Sequence, residues 1–187
     1  MKILAISGSL RAESLNTRLL RAAAELVDGE VEFEVWDGLK AVPPYDEDDE
    51  AGQAPFAVAR LRSAIAGADA VLFATPEYNA SIPGQLKNAI DWVSRPMATN
   101  PLRNLPVAVI GASPGMFGAV WAQAELKKVV ALIGARVIDA ELPVSQAATR
   151  FDTDGQLIDD EIRERLAEVL NQLISAAQER EAIQATG

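Results

Sequence analysis

The sequence predicts a doubly wound α/β sandwich, three layers deep, built on a five-stranded parallel sheet. Apolar strand-like runs alternate with segments of helical periodicity, five of each, which is the pattern of successive βαβ units. The first of these runs opens into a loop of hydroxyls ahead of a helix, the place where such folds bind phosphate. At 187 residues the chain also suits one domain with one sizeable core, spanning 1–187 without a linker.

Strands are expected near 2–7, 31–36, 69–75, 106–112 and 135–139, and helices near 14–27, 54–66, 83–94, 118–133 and 159–179. Strand order 2-1-3-4-5 is one of the two common doubly wound solutions, and it puts the ligand site at the carboxyl ends of strands one and three.

The first strand, Lys2-Ile3-Leu4-Ala5-Ile6, leads into Ser7-Gly8-Ser9-Leu10-Arg11-Ala12-Glu13-Ser14-Leu15-Asn16. The following helix is marked by Leu15, Leu19, Leu20, Ala23, Leu26 and Val27. Its free N–H groups and positive dipole end suit an anion. Ser7, Ser9, Ser14 and Asn16 add side-chain donors, Arg11 a charged fork, and Gly8 a tight turn or close approach. Helix capping alone would account for Ser14 but not for the cluster. The loop has neither the Gly-Lys-Ser/Thr ending of a P-loop nor Gly-x-Gly-x-x-Gly, so a monophosphate fits it better than a pyrophosphate.

After the second strand, Pro43-Pro44 precedes the charge block Tyr45 to Glu50, whose spacing matches no calcium loop and which reads as a solvated loop. The third strand runs into Pro76-Glu77-Tyr78-Asn79-Ala80-Ser81-Ile82-Pro83-Gly84, a turn able to aim several backbone groups one way, with Tyr78 offering a flat face. Pro83 opens the next helix, which carries Lys87, Asn88, Asp91 and a packing Trp92. The fourth strand ends in Ser113-Pro114-Gly115-Met116-Phe117-Gly118, where small residues admit a ring system and Met116 and Phe117 give apolar cover. The last helix carries Ile162, Leu166, Val169, Leu170, Leu173, Ile174 and Ala177 on one stripe and frays after about Arg180.

Composition narrows the chemistry. Hydrophobic residues make up 49%, yet no apolar run is as long as a membrane span, and the amino terminus does not resemble a signal peptide, so the cytoplasm is expected. With no cysteine and no histidine, disulfides, thiolate nucleophiles, the usual zinc sites and histidine-dependent triads are excluded. A cofactor, or carboxylates, lysines and tyrosines, must carry any reaction. The net charge of −10 argues against nucleic acid and anionic membrane as partners. Local positive potential for an anion is supplied by Arg11, Arg18 and Arg21.

Gly8-Ser9-Leu10-Arg11, Ser14 and Asn16, taken with Pro76-Glu77-Tyr78-Asn79-x-Ser81-x-Pro83-Gly84-x-Leu86-Lys87-Asn88-Ala89-x-Asp91-Trp92 and Pro44 to Asp48, resemble the NADPH-dependent FMN reductase family, which includes chromate and quinone reductases. The resemblance covers nearly the whole chain. It implies a flavodoxin-like fold holding FMN noncovalently, with Ser9, Arg11, Ser14 and Asn16 on the phosphate and Pro76, Glu77, Tyr78 and Asn79 at the isoalloxazine. Ser113 and Gly115 flank the ring, and Leu15 and Met116 complete the cofactor-binding set. Relatives often carry Gly-Gly where this chain has Gly118-Ala119, and an arginine where it has Val120-Trp121.

By the same resemblance NAD(P)H gives hydride to FMN, which passes electrons to a quinone-like or other small-molecule acceptor. The protein is expected to form a homodimer or homotetramer, with no catalytic acid or base and no metal. The alternatives are an electron carrier with the same FMN loops and, less close, a nonflavin nucleotide-binding or transferase domain.

Overall fold

A computed structural model describes residues 1–50 and 52–186. Its sheet runs β2-β1-β3-β4-β5, all parallel, formed by β1 (Lys2–Ser7), β2 (Glu32–Trp36), β3 (Ala70–Ala74), β4 (Pro106–Ala112) and β5 (Arg136–Val137). The expected order is the observed one. The helices are α1 (Leu15–Leu26), α2 (Glu47–Glu50), α3 (Phe56–Ala66), α4 (Gly84–Val93), α5 (Val120–Leu132) and α6 (Asp160–Thr186).

Two cores follow from the period-2 alternation of side chains along strands covered on both faces. Leu4, Ile6, Val71, Phe73, Val107 and Val109 pack with Leu61, Ile65, Leu86, Ile90 and Leu126 of α3, α4 and α5. Ile3, Ala5, Leu72, Ala74, Ala108 and Ile110 pack on the other side with Leu19 and Leu20 of α1 and Leu166, Leu170 and Leu173 of α6. β3 and β4 are therefore buried along their whole length and β1 from Ile3 onward, so a ligand can be met only by the loops that leave the sheet.

Three elements differ from expectation. The fifth strand is shorter than 135–139 and resumes as β6 (Pro143–Val144), which pairs with Gly111 and Ala112 at the far end of β4. Proline suits the first position of a short edge pairing, because it cannot donate to a ladder, and a two-residue pairing leaves almost no periodic signal. The charge block is not a solvated loop throughout: Asp46 accepts from Asp48 N–H at 2.8 Å and starts α2, whose first-turn carboxylates favour the positive helix end. Nor does the last helix fray after Arg180, since α6 continues to Thr186.

The segment after β2 is fastened to α4. Gln85 Nε2 donates to the carbonyls of Leu39 and Val42, Asn88 Nδ2 and Trp92 Nε1 to that of Pro43, and Tyr45 N–H to Asn88 Oδ1. Trp92 is 2% exposed, so it packs as expected. Much of the polar content of the α4 motif thus holds the neighbouring loop. Tyr45 stacks edge-on against Trp92 and donates to Glu50 at 2.6 Å, and that carboxylate raises the phenol's pKa above its ordinary value.

Candidate functional site

At the carboxyl edge of the sheet, the loops after β1, β3 and β4 enclose a cleft of about 190 Å³. Ser9, Arg11, Ser14, Leu15 and Asn16 form one wall, Pro76, Glu77 and Tyr78 the second, and Ala112, Ser113 and Pro114 the third. Among the expected residues, Asn79, Gly115 and Met116 are outside its lining. Ala112 and Pro114 line it without having been singled out. Their only advance signal was their place in the loop ending strand four.

The first wall is organised by α1. Ser14 is its N-cap and accepts from Thr17 N–H at 3.1 Å. The N–H groups of Leu15 and Asn16, at the first two helical positions, have no intrahelical partner and carry the positive end of the helix dipole. Arg11 makes no ion pair with any described residue. Arg18 is different, because its guanidinium is held by Glu13 at 2.6 Å.

Two expected side-chain donors have other work. Asn16 Nδ2 donates to the Ala112 carbonyl at 2.9 Å, and its Oδ1 accepts from Ala112 N–H at 2.9 Å. Its amide bolts α1 to β4, so what remains for a ligand is its backbone N–H. Ser7 is 8% exposed, and its Oγ accepts from Ser9 N–H and Thr17 Oγ1 within the loop.

Gly8 packs closely: a Cβ there would come within 2.8 Å of Leu86 Cδ2 and 3.4 Å of Pro76 Cδ, so any larger residue needs the Leu86 side chain to move aside.

The second wall is a tight hairpin. Tyr78 and Ser81 exchange both backbone hydrogen bonds, at 3.0 and 3.1 Å, around Asn79 (φ 54°) and Ala80 (φ 59°). Two left-handed central residues make this a type I′ turn. Tyr78 stands 49% exposed at the mouth. Glu77 reaches across to α5, where its Oε2 accepts from Trp121 N–H at 3.0 Å and Ala122 N–H at 3.1 Å. Its carboxylate thus caps a helix whose own N-cap, Ala119, offers no side-chain acceptor.

The third wall is held from behind. Ser113 N–H donates to Val144, Ala147 N–H to the Ser113 carbonyl and Gln146 N–H to the Gly115 carbonyl, so β6 and the turn after it set the position of the loop. Gly115 N–H is taken by Ser113 Oγ at 3.1 Å. Gly118 (φ +60°) abuts the Pro143 backbone so closely that a Cβ would fall 2.5 Å from its carbonyl carbon. Beyond this loop Met116, Phe117 and Trp121 are exposed, with the Phe117 and Trp121 rings 4.9 Å apart.

The cleft therefore offers clustered N–H donors, a hydroxyl and a guanidinium at one end, and backbone turns with an aromatic face at the other. That donor set fits a phosphomonoester attached to a flat ring. No helix among the described residues is long and apolar enough to cross a membrane.

Comparison with known proteins gives the same direction. Residues 1–149 match the family described as NADPH-dependent FMN reductase. The chain is 43% identical over 174 residues to an NAD(P)H-dependent FMN reductase of Pseudomonas aeruginosa, covering 92% of this chain and 93% of that one. It is 33% identical over 181 residues to a 2-hydroxy-1,4-benzoquinone reductase of a Burkholderia species, covering 96% and 98%. Among solved structures it resembles the flavoenzyme NAD(P)H:(acceptor) oxidoreductase FerB of Paracoccus denitrificans, with TM-score 0.87, 36% identity, and 96% and 98% of the two chains covered.

Proposed function

The chain belongs to the NADPH-dependent FMN reductase family, and from that premise we propose that the cleft is where it binds FMN, as one unit spanning residues 1–187. It is an FMN-dependent NAD(P)H oxidoreductase of flavodoxin-like fold that passes electrons to a quinone-like or other small-molecule acceptor.

The observation that carries the site assignment is the convergence of Ser9, Arg11, the first turn of α1 and the turn Pro76 to Tyr78 on one cleft. FMN, when bound, supplies hydride acceptance and electron transfer, chemistry that no side chain of a histidine- and cysteine-free protein need perform. The chain's own residues bind and orient. Arg11, Ser9 and the N–H groups of Leu15 and Asn16 hold the phosphate. Pro76, Tyr78 and Ser113 border the ring, while Glu77 and the Asn16 amide keep the three loops in register. Asn79, Gly115 and Met116 belong to the rim.

The active unit is a homodimer or homotetramer in the cytoplasm, and reduction of chromate accompanies that of quinones. The exposed Met116, Phe117 and Trp121 beside the cleft support a subunit contact there.

The test is an anaerobic absorbance trace of the FMN-loaded protein after addition of NADPH or NADH. Rapid loss of the oxidised-flavin band is expected with at least one donor. Flavin that stays oxidised with both would make the protein an electron carrier. Arg11→Ala should weaken FMN binding by roughly tenfold or more, the range of one lost charge-assisted hydrogen bond.

A further inference from the structure

Across the phosphate loop from the cleft, on the β2 side, lies a roomier depression of about 430 Å³. It shares Ser9 and Arg11 with the cleft, so the loop is a partition between the two. Arg21, one turn along α1 from Thr17, and Lys40, in the 3-10 turn Leu39–Ala41 that follows β2, bring two further cations to it.

This depression gathers three cations and one carboxylate. The chain carries net charge −10, and many of its other cations are paired to carboxylates. Arg11, Arg21 and Lys40 make no ion pair with any described residue, although they share one hollow. The single carboxylate in the lining, Asp37, is 3.7 Å from Arg60 and 88% exposed. Three cations gathered around one exposed carboxylate raise the local affinity for a multivalent anion.

Resting on the function proposed above, we infer that this depression receives the 2′-phosphate of NADPH, with Arg21 and Lys40 as the residues that read it. A nicotinamide placed beside the flavin occupies the cleft, and the rest of the dinucleotide must then lie on bordering surface. The cationic depression has a wall in common with the cleft. A phosphomonoester dianion suits an arginine fork and a lysine point charge, and NADH has no such group.

The experiment compares FMN-loaded wild type with Arg21→Ala, Arg21→Lys, Lys40→Ala and the double alanine variant. The ratio of kcat/KM for NADPH to that for NADH should fall about tenfold per alanine substitution, with partial recovery in Arg21→Lys. Calorimetric titration with adenosine 2′,5′-bisphosphate should show binding to wild type and loss in the double variant. An unchanged donor ratio, or failure of the bisphosphate to bind wild type, overturns the assignment. So does inorganic phosphate competing as well as the bisphosphate, which would indicate a simple anion site, or a loss of FMN affinity in the variants, which would give the cations to the flavin phosphate. Inability of wild type to oxidise either dinucleotide would instead remove the functional reading itself.

Discussion

Asn16 and Ala112 are joined by a reciprocal pair of hydrogen bonds, each 2.9 Å, between a helix side chain and the backbone of the last residue of β4. Both partners are about 2% exposed. Asn16→Leu leaves a buried N–H and C=O without partners and should cost about 2–4 kcal/mol. Asn16→Asp keeps the acceptor and loses the donor, so it should fall between. Urea unfolding checks the order. FMN affinity should drop only through the displaced α1 start, less than in Arg11→Ala.

Glu77 couples the second loop to the third. With Glu77→Gln the two N–H groups of α5 keep an acceptor but lose the negative charge at the helix start, and with Glu77→Ala they lose both. The expected losses are about 0.5 and about 1–2 kcal/mol, or a Tm lowered by roughly 2–4 °C per kcal/mol in a chain of this size. Thermal melts of the FMN-free protein measure this without involving the flavin. Equal melts for wild type and Glu77→Ala would sink the capping role.

Ala119 sits at φ 62° in a buried left-handed position, directly after Gly118 at φ 60°. A side chain there costs about 1–2 kcal/mol relative to glycine. Glycine regains that strain but loses some through its freer unfolded chain. Ala119→Gly should therefore stabilise the protein by about 0.5–1 kcal/mol. A shift of the urea midpoint to higher concentration, with unchanged slope, is the expected result.

The layered fold was legible because its signals are local and repeated. β1, β3 and β4 are apolar runs between amphipathic helices, and their ends fell within one residue of expectation. The first wall of the cleft was legible because Ser14 caps where a cap residue should, and because a lone arginine among hydroxyls has few structural uses. What stayed hidden depends on distant partners. Nothing near Asn16 in sequence reveals that its amide faces Ala112, 96 residues on. Glu77 read as a ring contact because its acceptor role needs the start of α5 beside it. Asn88 read as part of the family motif and Gln85 was not singled out, while both hold the loop after β2.

Asp159 accepts from Ile162 N–H at 3.0 Å, which caps α6, and from Arg150 Nη1 at 2.6 Å. The Ile162 N–H bond does most to hold its carboxyl below the usual range; partial burial opposes this, and Arg150 adds to it. A carboxylate whose native pKa is depressed contributes its stabilisation above its unfolded value of about 3.9 and loses it as the pH falls through the lower native value. Stability attributable to Asp159 is thus constant near neutrality and declines only below about pH 4. Asp159→Asn keeps a capping acceptor but cannot titrate, so it should be modestly less stable than wild type at pH 7, and the gap should close as the pH is lowered from 4 towards 2. Urea midpoints of the two proteins across that range decide it. A gap independent of pH would mean that the carboxylate charge plays no part in holding α6.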